Sequence, residues 1–86
     1  MKYHLVNEFS YPQKVSLYYQ GNPVFRTSIP GRQTYSFTHF GDPKALELAF
    51  QNSEGIRFPL EYYLGGYNQI SLSTMRGSQC VGCSSL

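Results

Sequence analysis

The two cysteines of the chain, Cys80 and Cys83, lie in a C-x-x-C arrangement within the final stretch SQCVGCSSL. Two thiolates at this spacing supply half of a tetrahedral zinc shell, with metal–sulfur distances of about 2.3 Å. The remaining ligands would come from the two histidines, His4 and His39, or from the cysteines of a second copy. The sequence therefore allows a zinc site in the tail, which is our alternative functional hypothesis.

The same tail has three other interpretations. Redox catalysis requires the first cysteine at a helix N-terminus in a βαβ setting, and no helix pattern follows Cys80. The last four residues, CSSL, have the length and terminal leucine of a prenylation box, but serine occupies both positions that should be aliphatic. Without such a lipid we expect no membrane contact. The favoured interpretation is a flexible tail, residues 77–86, whose thiols have no function.

The other ionisable residues provide little material for catalysis. The five acidic residues lie at spacings that no local structure brings together: Glu8, Asp42, Glu47, Glu54 and Glu61. The chain contains no nucleophile elbow, no zinc-protease helix motif and no phosphate-cradling glycine loop. We therefore predict a protein that is not an enzyme, has no catalytic residues and needs no cofactor.

Composition and charge indicate a small globular protein that does not bind nucleic acid. The chain of 86 residues is long enough for one domain, and its 41% hydrophobic content is typical of globular proteins. Its seven lysines and arginines are scattered, and a net charge of +2 is too small for a nucleic-acid footprint. The N-terminal stretch MKYHLVNEFS lacks the apolar core of a secretory signal, so we expect a cytoplasmic location.

Short alternating runs, separated by turn residues about every ten positions, predict strands throughout the chain. The stretch QGNP predicts a turn, since Gly21 can take a positive φ. The stretch 44–51 is ambiguous, because Asp42 and Pro43 resemble a helix start while the apolar residues that follow alternate; we predict a strand. The stretch IRFPLEYYL predicts a strand with Ile56, Phe58, Leu60 and Tyr62 on one face. Because Pro59 cannot donate to a ladder, this strand should lie at a sheet edge or contain a bulge. A last strand is predicted around Ile70 and Leu72, with the polar tail beginning near Arg76.

The best-fitting architecture is one small antiparallel β-sandwich of about seven short strands, immunoglobulin-like or prealbumin-like, over residues 1–76. A small, partly open barrel is the alternative. The stretch YYQGNPVFRTSIPGRQTYSF, with its Gly-x-Pro-Val run followed by Tyr-x-Phe, resembles the cadence of prealbumin-like modules. This resemblance covers about a quarter of the chain and implies a sandwich without assigning a family.

The high tyrosine content indicates a binding function. Tyr18, Tyr63 and Tyr67 are predicted to lie opposite the apolar faces or in loops, with Arg57 and Glu61 as a polar rim. Exposed tyrosines suit protein interfaces and sugar stacking, although cross-strand pairing would also explain them. We predict an interaction module that binds a protein partner or a second copy of itself, with carbohydrate binding as a third hypothesis.

Overall fold

The structure is a computed structural model and describes residues 1–79. Cys80 and Cys83, and with them most of the predicted tail, lie outside the described residues. Residues 1–79 form one α-helix, α1 (Leu72–Gln79), and seven strands: β1 (Lys2–Val6), β2 (Gln13–Tyr19), β3 (Asn22–Ile29), β4 (Thr34–Thr38), β5 (Leu46–Phe50), β6 (Phe58–Pro59) and β7 (Gln69–Ser71). The predicted all-β sandwich is confirmed.

The strands form two separate sheets that enclose one core. The three-stranded sheet has the order β4-β1-β7, and the four-stranded sheet has the order β3-β2-β5-β6. Fully buried apolar side chains fill the space between them, among them Tyr3, Leu5, Leu17, Leu48, Phe50 and Ile70. All pairs are antiparallel except β1 and β7, which run parallel and so depart from the prediction. The chain reaches β7 by crossing from the other sheet rather than by a hairpin next to β1, and such a crossover permits parallel pairing.

Local sequence explains the connections between strands. Gln20 and Gly21 both have positive φ (52° and 81°) and join β2 to β3 as a two-residue hairpin turn, as the QGNP stretch predicted. At the next connection, the Asp42 carboxylate accepts a hydrogen bond from the Lys44 amide at 3.0 Å, and Pro43 opens a single 3-10 turn, Pro43–Ala45. The helix-start signal therefore produces one turn, after which β5 begins, and the predicted strand is confirmed.

The strand predicted for IRFPLEYYL is wrong beyond two residues. Only Phe58 and Pro59 pair with β5, at the edge of the four-stranded sheet, where a proline was expected. Because Pro59 has no N–H, the ladder ends and the chain turns into a 3-10 turn, Leu60–Tyr62. Tyr62, which was predicted to share the apolar face with Leu60, is instead 77% exposed.

The end of the described chain is helical rather than extended. Ile70 lies in β7 as predicted, but Leu72 begins α1, which continues to Gln79, past the boundary predicted at residue 76. The Ser71 hydroxyl accepts a hydrogen bond from the Thr74 amide at 3.4 Å, as an N-cap does. Leu72 and Met75, three positions apart, bury one face of the helix in the core.

Candidate functional site

The five predicted binding residues do not form one exposed surface. Tyr18 is only 7% exposed, so the expectation that it lies on the surface is wrong. Tyr63 is half-buried, with its ring packed edge-on against Phe58 at 5.7 Å between centroids. Tyr67 is 91% exposed and Glu61 is exposed, as predicted, whereas Arg57 is half-buried.

Tyr18 and Arg57 lie together in a polar cluster on the outer face of the four-stranded sheet. The Arg57 guanidinium lies 3.6 Å from the centre of the Tyr18 ring and covers it. The Tyr18 and Ser16 hydroxyls each donate to Glu54 Oε1 at 2.8 Å, and Arg26 Nη2 donates to Glu54 Oε2 at 2.9 Å. Sequence reasoning missed Glu54, because it lies in a loop more than thirty residues from Ser16 and Tyr18.

This cluster fastens the β5–β6 loop across the sheet. Arg57 Nε donates to the Glu54 carbonyl at 2.8 Å, so the loop's own backbone also holds the guanidinium. Hydrogen bonds from Ser16 and Tyr18, with the nearby charges of Arg26 and Arg57, hold the pKa of Glu54 below its usual range. Since each of these side chains already contacts another member of the cluster, we interpret the cluster as a structural connection between the loop and the sheet rather than as a binding surface.

The most exposed aromatic side chains lie at one end of the sandwich. Phe40 follows β4 and Tyr67 precedes β7, and both flanking segments bond to the first two residues of the chain. His39 N donates to the Met1 carbonyl at 2.9 Å, and Asn68 Nδ2 donates to the Lys2 carbonyl at 3.2 Å. Phe40 and Tyr67 therefore project from neighbouring loops, with 90% and 91% of their surfaces exposed.

Tyr62 belongs to the same end. The turn Pro43–Ala45, which follows Phe40 along the chain, lies against the turn that ends in Tyr62. We call Phe40, Tyr62 and Tyr67 the aromatic end of the molecule. Two other exposed apolar side chains, Tyr11 and Ile56, lie in the β1–β2 and β5–β6 loops at the opposite end.

The loops of the aromatic end are braced, although their aromatic side chains are not. The His39 ring packs on Tyr19 at 4.6 Å between centroids, and His39 Nδ1 accepts a hydrogen bond from the Gly41 amide at 3.0 Å. The Tyr19 hydroxyl accepts a further bond from the Asp42 amide at 3.1 Å. The backbone on both sides of Phe40 is therefore fixed, while the Phe40 side chain lies in solvent.

Tyr67 has an unusual backbone for an exposed aromatic residue. Its φ of 59° and ψ of 28° are left-handed, a conformation that disfavours side chains larger than glycine. The neighbouring Asn68 is also left-handed, and a 2.7 Å hydrogen bond from Gly65 N to the Gln69 carbonyl closes the loop. Such strain at a fully exposed residue often accompanies a functional role.

Sequence reasoning missed Phe40 and Tyr62 for different reasons. Phe40 continues the apolar run of β4 but falls out of phase with Tyr35, Phe37 and His39, and this phase is the signal that marks it as outward-facing. Tyr62 was placed in phase with Phe58, and only the early end of β6 moves it to the surface.

The predicted zinc site depends on Cys80 and Cys83, which lie outside residues 1–79, the range that the structure describes, so it stays a prediction. In that range, no group of three or more potential ligand side chains could hold a metal ion. His4 and His39 are each engaged elsewhere, His4 Nδ1 with the Ser36 hydroxyl at 2.7 Å and His39 with Gly41. No helix among the described residues has the length and apolar character needed to cross a bilayer.

Compared with known proteins, the chain matches no family model, and no curated protein or solved structure matches it significantly.

Proposed function

We propose that this protein is a non-enzymatic interaction module that contacts a second copy of itself through the aromatic end. The observation that carries this proposal is the gathering of Phe40, Tyr62 and Tyr67 at one end, each at least 77% exposed. Phe40 comes from the connection between β4 and β5, whereas Tyr62 and Tyr67 come from the one between β6 and β7, so the fold brings Phe40 to the same end as the other two.

The size of the aromatic end suits a protein interface. Each buried aromatic ring removes about 150–250 Å² from water, so three rings provide about 450–750 Å² per partner. A standard interface buries about 800 Å² per partner, which places this one at the small, reversible end of the range. Because hydrogen bonds already hold these loops in place, little further conformational entropy is lost on binding, which favours association.

The charges around the aromatic end favour a second copy over a strongly charged partner. Lys2 and Lys44 are exposed there, as are Asp42 and Glu61. Two positive and two negative side chains leave this end close to neutral. In a two-fold symmetric contact the same patch meets itself, and a mixed-sign patch allows opposite charges to face each other.

Sedimentation velocity over a wide protein concentration range tests the proposal. We expect the wild-type chain to shift from monomer to dimer as concentration rises, and Phe40→Ser/Tyr67→Ser to remain monomeric. The matched control is Tyr11→Ser, which removes an exposed ring at the opposite end and should dimerise normally. A wild-type chain that stays monomeric at every concentration contradicts the proposal, and so does a Tyr11→Ser variant that loses the dimer.

Zinc binding through Cys80 and Cys83 remains the alternative proposal. Native mass spectrometry of the wild-type chain and of Cys80→Ser/Cys83→Ser tests it, since only a zinc mass that disappears in the variant supports the metal site.

A further inference from the structure

A pocket of about 300 Å³ opens at the end of the sandwich opposite the aromatic end. The β1–β2 loop, the segment after β5 and helix α1 enclose it. Its polar and aromatic lining comprises Tyr11, Gln13, Lys14, Gln51, Asn52 and Arg76. The volume lies at the lower limit of small-molecule sites and suits a ligand of one ring and one functional group.

The charged side chains among the described residues of this pocket have a single sign. Lys14 and Arg76 are cationic, and none of the described residues that line the pocket is acidic. The Arg76 guanidinium is held in place, since its Nη2 donates to Gln13 Oε1 at 3.1 Å and it lies 4.0 Å from the centre of the Phe50 ring. A partly enclosed site with fixed positive charge attracts anions.

Gln13 provides a preformed hydrogen-bond donor. It is only 2% exposed, and the bond from Arg76 to its oxygen determines which end of the amide is the nitrogen. Among the described residues, none accepts a hydrogen bond from Gln13 Nε2. Within the described part of the chain, every fully enclosed side-chain nitrogen or oxygen has a hydrogen-bond partner. Because Gln13 Nε2 has no such partner among those residues, it must be in contact with solvent, and the pocket that Gln13 lines provides that access. A buried amide N–H₂ without a protein acceptor favours an acceptor from outside.

Tyr11 forms a fixed rim for the pocket. Its ring lies 5.3 Å from the Phe9 ring, and its carbonyl accepts a hydrogen bond from the buried Asn7 Nδ2 at 3.0 Å. An exposed tyrosine face beside a cationic pocket suits a ligand whose body is a ring.

We propose that this pocket binds a small organic anion, a phosphate or carboxylate group attached to a ring. Gln13 Nε2 and Lys14 Nζ donate hydrogen bonds to the anionic group, and the ring of the ligand lies against Tyr11. The positive charge of Arg76 attracts the anion electrostatically. This site goes beyond the proposed self-association and is independent of it, because it uses none of the residues of the aromatic end.

Titration of the ¹⁵N-labelled full chain at constant ionic strength tests the proposal, with the Gln13 side-chain amide signals as the readout. The probes are phenyl phosphate, benzoate and neutral phenol. We expect saturable shifts of the Gln13 amide with at least one of the two ring anions and no saturable shift with phenol. Lys14→Gln should weaken binding about three- to tenfold, the loss expected for one partly exposed charge-assisted hydrogen bond.

The control variant is Lys44→Gln, which makes the same charge change at the aromatic end and should leave the affinity unchanged. Equal weakening by Lys14→Gln and Lys44→Gln would mean nonspecific attraction to a basic protein and would overturn the proposal. A Gln13 amide that does not respond to either anion, or that responds equally to phenol, overturns it as well.

Discussion

Asn7 connects two loops of the pocket end through a single buried side chain. Its Nδ2 donates to the carbonyls of Ile29 and Tyr11, both at 3.0 Å, and its Oδ1 accepts from the Phe9 amide at 3.0 Å. These bonds join the β1–β2 loop to the end of β3. Only an amide side chain of this length provides donors and an acceptor at these places.

We expect Asn7→Asp to destabilise the fold by at least about 2 kcal/mol. The carboxylate would face backbone carbonyls without a donor, and a buried unsatisfied group costs about 1–3 kcal/mol, or more when it is charged. Urea unfolding followed by circular dichroism measures the change. The exposed Asn52→Asp is the control and should change stability by less than about 0.5 kcal/mol. Equal effects of the two substitutions would mean that the Asn7 contacts contribute little.

At the scale of elements, two carboxylates secure segments that the strands alone do not hold. Glu54 holds the β5–β6 loop, and Glu8 holds the start of α1 by accepting hydrogen bonds from Ser71 Oγ and from Ser73 N, the latter at 3.2 Å. Partial burial opposes ionisation of Glu8, but these hydrogen bonds outweigh it and hold the pKa of Glu8 below its usual range. Both carboxylates are therefore more readily ionised in the folded state than in the unfolded state.

A lowered pKa determines the sign of the pH dependence. The stabilisation from Glu8 and Glu54 is fully present above the unfolded value of about 4.3 and is lost as the pH falls through the lower folded values. We expect the melting temperature to fall between pH 5 and pH 2.5, as a series of thermal melts would measure. Glu54→Gln should make this fall shallower, because the variant lacks one of the two carboxylates. The exposed Glu61→Gln is the control and should retain the wild-type slope.

At the scale of the whole molecule, the aromatic end and the pocket lie at opposite ends of the same strands. The six residue-to-residue steps of β2, at about 3.4 Å each, place about 20 Å between its ends. The packed core between the sheets separates the two ends, and changes at distant sites usually act independently. The two proposed binding surfaces therefore lie far enough apart to act separately.

We expect substitutions at the two ends to have independent effects. Phe40→Ser/Tyr67→Ser should leave the affinity for ring anions within about twofold of wild type, and Lys14→Gln should leave the dimerisation constant equally unchanged. The combined variant, measured by sedimentation and by titration, should show the sum of the separate free-energy changes. A dimer that strengthens or weakens on anion binding would show instead that the ends are coupled.

The sequence alone determined most of the strands and their turns. Alternation of apolar residues identified β2 through β5, Gly21 marked the first hairpin, and Pro59 marked an edge strand. These features are local, because the direction of each side chain along a strand follows from the backbone period of two. The alternation of a strand ends at Pro59 and at the Ser71 N-cap. Beyond these two residues the predictions were wrong, because Tyr62 is exposed and Leu72 begins α1.

Only the tertiary structure decided which side chains are available for binding. Tyr18 faces away from the core as its phase predicts, yet Arg57 and Glu54 cover it from a distant loop. Phe40 and Tyr67 are far apart in the sequence, and the pairing of β1 with both β4 and β7 brings their loops to one end. Solvent exposure depends on what long-range contacts place above a residue, and no local pattern encodes those contacts.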